Sequence, residues 1–186
     1  MEEIRSICEA LLILETSGDL ITAQEKVIAV WKRISRYDQW YLMDIKVINV
    51  ILYFFDNDVA VQVTDKLLER LKTYKNFGEA VRLSITLKIN LSMIHIKSGF
   101  YVEALTNLER LLEQHLQELP YQSLAVCYNR MSICYSYSCN EKEVIYKQKI
   151  DDLLKIYEDK ILFQMIQQEY KKYSNKKNLN CKLNLN

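Results

Sequence analysis

Residues 82–112 read RLSITLKINLSMIHIKSGFYVEALTNLERLL. Two helix-length segments meet here at Ser98-Gly99. Wound at about 100° per residue, the first segment shows two apolar faces. Leu83, Leu87, Leu91 and Ile94 share one side, and Val81, Ile85, Ile89 and Ile96 the other. Narrow polar lines run between them: Arg82, Thr86, Asn90 and Lys97, then Ser84, Lys88, Ser92 and His95. A surface helix has one apolar stripe. A helix with two is sandwiched, as inner helices are in stacked helical repeats. Residues 81–93 also alternate apolar and polar, which is the strand pattern. A strand of that length is unusual, and the flanking segments have helical period. The segment is therefore read as helix.

Composition agrees. Three Gly and one Pro in 186 residues leave few turns for a β-rich fold and suit long helices with short joints. The period places helices over 2–17, 20–36, 40–55, 59–74, 78–97, 100–118, 120–137, 141–158 and 160–173. Core candidates include Ile4, Ile7, Cys8, Leu11, Leu12 and Leu14 in the first helix, Ala23, Val27, Val30 and Ile34 in the second, and Val63, Leu67, Leu68 and Leu71 in the fourth. Toward the end they are Ile150, Leu153, Leu154, Ile161, Phe163 and Ile166. Breaks within pairs fall at Gly18, Asn57, Gly99 and Asn140, separated by 39, 42 and 41 residues. That is a helix-pair repeat of about forty residues. Two breaks share text: Gly18-x-Leu20-x-x-Ala23 matches Gly99-x-Tyr101-x-x-Ala104, resembling the turn of tetratricopeptide repeats. The expected fold is all-α, a right-handed superhelix of about four such pairs over 1–173 with a closing helix. Residues 174–186, SNKKNLNCKLNLN, read as a disordered Lys/Asn-rich tail.

The net charge of +1 is uneven. Without the lysines at 171, 172, 176, 177 and 182, acids outnumber bases by four, so the body is a poor nucleic-acid surface. Five Cys show no paired metal spacing, and reduced thiols in a cytoplasm are expected. The most apolar run, Val47 to Phe55, is far too short to span a bilayer. His95 and His115 lie on different helices, His95 reading as a surface or seam residue. Cys127, Cys134 and Cys139 read as small core fillers. No Ser/His/Asp grouping, metal motif or Gly-rich phosphate loop occurs, so no enzyme, cofactor or metal is expected.

The repeat carries polar residues in register. Asn49, Asn90 and Asn129 are 41 and 39 apart, each within apolar text: VINVI, KINLS, CYNRM. Tyr41, Arg82 and Tyr121 stand eight residues before them; Asp56, Lys97 and Ser136 stand seven after. These offsets share one helix face, so one polar strip along an inner wall is expected. A buried Asn needs partners for its donor and its acceptor. A ladder of amides suits an extended peptide, which offers one N–H and one C=O per residue. The bland alternative is that each Asn ties its helix to a neighbour.

Residues 31–56, WKRISRYDQWYLMDIKVINVILYFFD, with residues 87–105, LKINLSMIHIKSGFYVEAL, resemble the C-terminal regulatory domain of Rgg/MutR-type transcriptional regulators of Gram-positive bacteria. The likeness covers roughly residues 5–170 and is diffuse. It implies a tetratricopeptide-like domain that binds short imported signalling peptides in quorum sensing and forms a homodimer. In that wider group inner-helix asparagines hold the peptide backbone, which points to Asn49, Asn90 and Asn129, with Tyr41, Arg82, Tyr121 and Lys97 flanking. The family's helix-turn-helix domain does not precede Met1, so direct DNA binding by this chain alone is not expected. A generic protein–protein scaffold is the alternative.

Overall fold

The structure is a computed structural model that describes residues 2–74 and 76–175. Among these residues it is all-helical, with no strand. The helices are α1 (Glu2–Thr16), α2 (Leu20–Ile34), α3 (Leu42–Ile51), α4 (Asn57–Lys72), α5 (Gly78–Lys97), α6 (Tyr101–His115), α7 (Tyr121–Ser136), α8 (Lys142–Tyr157) and α9 (Lys160–Tyr173). The apolar run after α3 tightens into a 3-10 turn, Leu52–Phe54, where the sequence suggests unbroken helix. The expected tail lies outside the described residues from 176 on. Ser174 ends α9, and the Asn175 N–H donates to Ser136 Oγ at 3.0 Å.

The alternating stretch 81–93 is α-helical throughout. Both its apolar faces are buried: Leu83, Leu87, Leu91 and Ile94 on one, Ile85, Ile89 and Ile96 on the other. Two-sided burial, not strand pairing, accounts for the alternation.

The chain divides into two compact units, up to Leu91 and from Ser92 onward. In the first, α1 packs on α2, and both meet α3. Ile45, Ile48, Ile51 and Leu52 are fully buried around that junction. Ala23, Val27, Val30 and Ile34 form the inner face of α2. Trp31 lies 5.2 Å from Phe55 and 6.1 Å from Trp40, closing the joint after α2. The Trp40 indole N–H donates to the Ile34 carbonyl at 2.9 Å. In the second unit α7 is central and packs on α6, α8 and α9. Its buried set runs almost without gap from Cys127 to Ser136.

The end helices depart from the sequence reading. In α1 the inward residues are Ile7 and Ala10, whereas Ile4, Cys8, Leu11, Leu12 and Leu14 are exposed. Among the described residues α1 packs chiefly on α2, with a smaller contact to α3. Its rotation follows Ala10, fully buried as is Ala23 of α2, and ion pairs of Arg33 with Glu2 and Glu3 and of Lys26 with Glu9. In α9, Leu162 and Ile166 face inward and Ile161 and Phe163 are exposed. The Asp159 carboxylate caps the Leu162 N–H at 3.0 Å, and Glu169, on the same face as Leu162 and Ile166, ties that face to Asn129 and Arg130 of α7. Cys139 is exposed, not a core filler, and of the two readings for His95 the buried one, a seam and not the surface, is what the structure has.

Two of the helix-pair breaks share one backbone device. Gly99 has φ +82°, and the Phe100 N–H reaches back to the His95 carbonyl at 2.9 Å. Forty residues on, Cys139 takes φ +51° and the Asn140 N–H reaches the Tyr135 carbonyl. Both are left-handed helix ends closed by a six-to-one bond. Glycine adopts this φ freely; a side chain costs about 1 kcal/mol. Gly99→Ala should therefore lower unfolding free energy by about 1 kcal/mol and Cys139→Gly raise it by about as much, read from urea midpoints.

Candidate functional site

In the first unit α3 and α5 bring two of the in-register asparagines into contact. Asn90 Nδ2 donates to Asn49 Oδ1 at 3.0 Å. Asn90 Oδ1 in turn accepts the Tyr53 hydroxyl at 3.2 Å. Tyr53 sits one turn past Asn49, in the 3-10 turn, and the sequence reading missed it; the i, i+4 spacing is the signal that could have found it. The three groups form a directed chain, Tyr53 to Asn90 to Asn49. It ends on the Asn49 Nδ2 group, which donates to no described protein atom. Asn49 is buried and Asn90 half-buried. Lys46 forms an ion pair with Glu79 across the same two helices and holds Glu79 below its usual carboxylate range by hydrogen bond and charge.

The flanking residues sit elsewhere. Tyr41 is the N-cap of α3 and exposed; its backbone N–H donates to Asp44 Oδ2 at 2.8 Å. Arg82 is exposed on the early turns of α5. Each lies eight residues, about 12 Å of helix, from its asparagine.

In the second unit Asn129 has a different partner. Its Nδ2 donates to Glu169 Oε1 of α9 at 3.1 Å. Arg130, also buried, grips the same carboxylate, Nε to Oε1 at 3.2 Å and Nη2 to Oε2 at 3.4 Å. Lys97 joins this cluster: loss of water, with Lys172 and Arg130 close by, lowers its pKa against the pull of Glu169. By area Lys97 is exposed, so the desolvation acts on its ammonium end and not on the whole side chain. Arg130 and Glu169 were missed from sequence. An arginine beside Asn129 in apolar text was the available signal; Glu169 carried none. Tyr121 opens α7, where its hydroxyl donates to Asp159 at 3.0 Å and its ring stacks on Tyr157 at 3.7 Å.

Burial pushes the Cys127 and Cys134 thiols up to about 12, so both are unreactive near neutrality. Among the described residues no three His, Cys, Asp or Glu side chains gather as a metal site, and no helix is long and apolar enough to cross a membrane. No protein-family model, curated protein or solved structure matches the chain.

Two outcomes follow. Asn90→Ala removes the donor to the buried Asn49 oxygen and the acceptor of the Tyr53 hydroxyl bond, and should cost about 1–3 kcal/mol in urea unfolding; a loss under about 0.5 kcal/mol would mean the chain of bonds is not formed. His95 is buried edge-on to Phe100, and desolvation lowers its pKa against the opposing charge of Glu103. The folded state then binds fewer protons at His95 than the unfolded one. Its contribution is present above the unfolded value of about 6.5 and is lost as pH falls below it. Stability should drop on acidification from pH 7 to 5, and His95→Gln should flatten that slope.

Proposed function

We propose that this chain is a peptide-sensing regulatory domain of the Rgg/MutR-like kind, a cytoplasmic tetratricopeptide-like superhelix that binds a short signalling peptide on its concave face and forms a homodimer. One observation carries the reading: the directed bond chain Tyr53, Asn90, Asn49. It fixes the Asn49 amide as a donor in advance, so no rotamer entropy is lost when a peptide carbonyl accepts from it. An amide whose only role was to tie α3 to α5 could equally point the other way. The register of Asn49, Asn90 and Asn129 with the helix-pair period supports the same reading, as does the family-like text. Asn129 is the equivalent position in the second unit, its amide engaged by Glu169. Lys97, Arg82, Tyr41 and Tyr121 would supply charge and contact area around the peptide.

Calorimetric titration with a panel of short hydrophobic peptides tests it. A member of the panel should bind with micromolar or tighter affinity, and Asn49→Ala, checked for intact helicity, should weaken that binding about tenfold (about 1.4 kcal/mol). Binding unchanged in Asn49→Ala removes the site; no binding across the panel, with capture of a large folded partner instead, would favour a protein–protein scaffold.

A further inference from the structure

The far side of α7 carries a second feature. Tyr128, Met131 and Tyr135 recur at three and four on one face, opposite Asn129 and Arg130. Tyr128 and Met131 of this face, with α6 and α8, line a groove of about 490 Å³. Tyr146 of α8 lies 5.6 Å from Tyr128 and stacks at 5.7 Å and 7° on Tyr135. The Lys149 ammonium lies over two of these rings, 4.9 Å from Tyr146 and 5.2 Å from Tyr128. Lys142 lies 5.5 Å over the third, Tyr135. The rings thus already hold cations of the chain itself. Glu109 and Glu113, one turn apart on α6, line the wall facing them. Glu109 accepts only the Tyr135 hydroxyl, at 3.0 Å, and neither acid is in an ion pair among the described residues. Leu112 and Leu116 lie between and beyond the acids, with Met131 on the floor.

Each wall asks for a different part of one ligand. Tyrosine faces attract a cation through the ring quadrupole. Two carboxylates spaced by a helical turn attract a second positive charge some ångströms away. Leucine and methionine between them accept methylenes. A metal ion would leave the apolar lining and the rings unused; a neutral apolar ligand would leave the carboxylates unanswered. Burial and the negative charge of Glu109 keep the Tyr146 hydroxyl protonated well above neutrality, so the rings add no charge of their own.

We propose that this groove binds a linear aliphatic polyamine, one ammonium on the Tyr128–Tyr146 pair in place of Lys149 and another between Glu109 and Glu113, with the methylenes along Leu112 and Met131. The site shares no residue with the proposed peptide site, so either can fail alone.

Spermidine, titrated into the full chain at about 150 mM NaCl and followed by calorimetry and tyrosine fluorescence, tests the assignment. Saturable binding is expected, which magnesium at matched ionic strength does not displace. Glu109→Gln with Glu113→Gln keeps the acceptor for Tyr135 and should weaken binding at least about tenfold. Lys149→Gln removes the internal competitor and should tighten it about fivefold. Absence of saturable binding, full displacement by magnesium, an unaltered affinity in the double Gln variant, or weaker binding in Lys149→Gln would each overturn the proposal.

Discussion

Burial on two sides is the constraint from which this fold follows. α5 and α7 each place apolar residues around more than one face, and neither could be stable with one face in water. Ile85 and Ile89 need cover as much as Leu87 and Leu91 do. Each such side chain contributes about 1.5–3 kcal/mol when buried. The helices that pack from outside have single inward stripes: Ala104–Leu108–Leu111 of α6, which packs on α7, and Ala23–Val27–Val30–Ile34 of α2, which packs on α1 and α3.

Two-sided burial also dictates where polar groups can go. On a sandwiched helix only thin seams remain, and a polar residue in a seam bonds either its own preceding turn, as Ser84 and Ser136 do, or the next helix. Asn90 finds Asn49, and Asn129 finds Glu169. Ser132 likewise donates to the Glu143 carbonyl at 3.1 Å. Among the described residues Thr64 is the exception, its hydroxyl fully buried without a partner, and we have no physical account of it. The seams are thus where helix packing decides which polar atoms are engaged. In the first unit an amide donor is left over; in the second the carboxylate of Glu169 answers both Asn129 and Arg130.

The helices were legible because their limits are set locally. Gly18 and Gly99 announce their turns, and apolar period marks the spans between. The rotation of an end helix is not local. Ile4, Leu11 and Leu12 share a face as apolar as the one α1 buries, and only the close approach of α2 decides between them. Ile161 and Leu162 pose the same choice, settled by the hold of Asn129 and Arg130 on Glu169. At the candidate site the asparagine register was readable, but partners were not. Tyr53 offered only its i, i+4 spacing from Asn49, and Glu169 comes from a segment whose own text gives no hint of a neighbour, because contacts between helices depend on rotation that sequence period leaves open. Cys139 shows the reverse: a left-handed helix end where the residue type forecast a packed side chain.

The most direct test of the central claim, that the amides of α3 and α5 form a directed chain with a spare donor at one end, is side-chain amide NMR on uniformly labelled protein. The Asn90 Nδ2 protons should exchange slowly with water, one of them held by Asn49, while those of Asn49 exchange fast. Equal, fast exchange at both residues, or protection at Asn49 with none at Asn90, would contradict it.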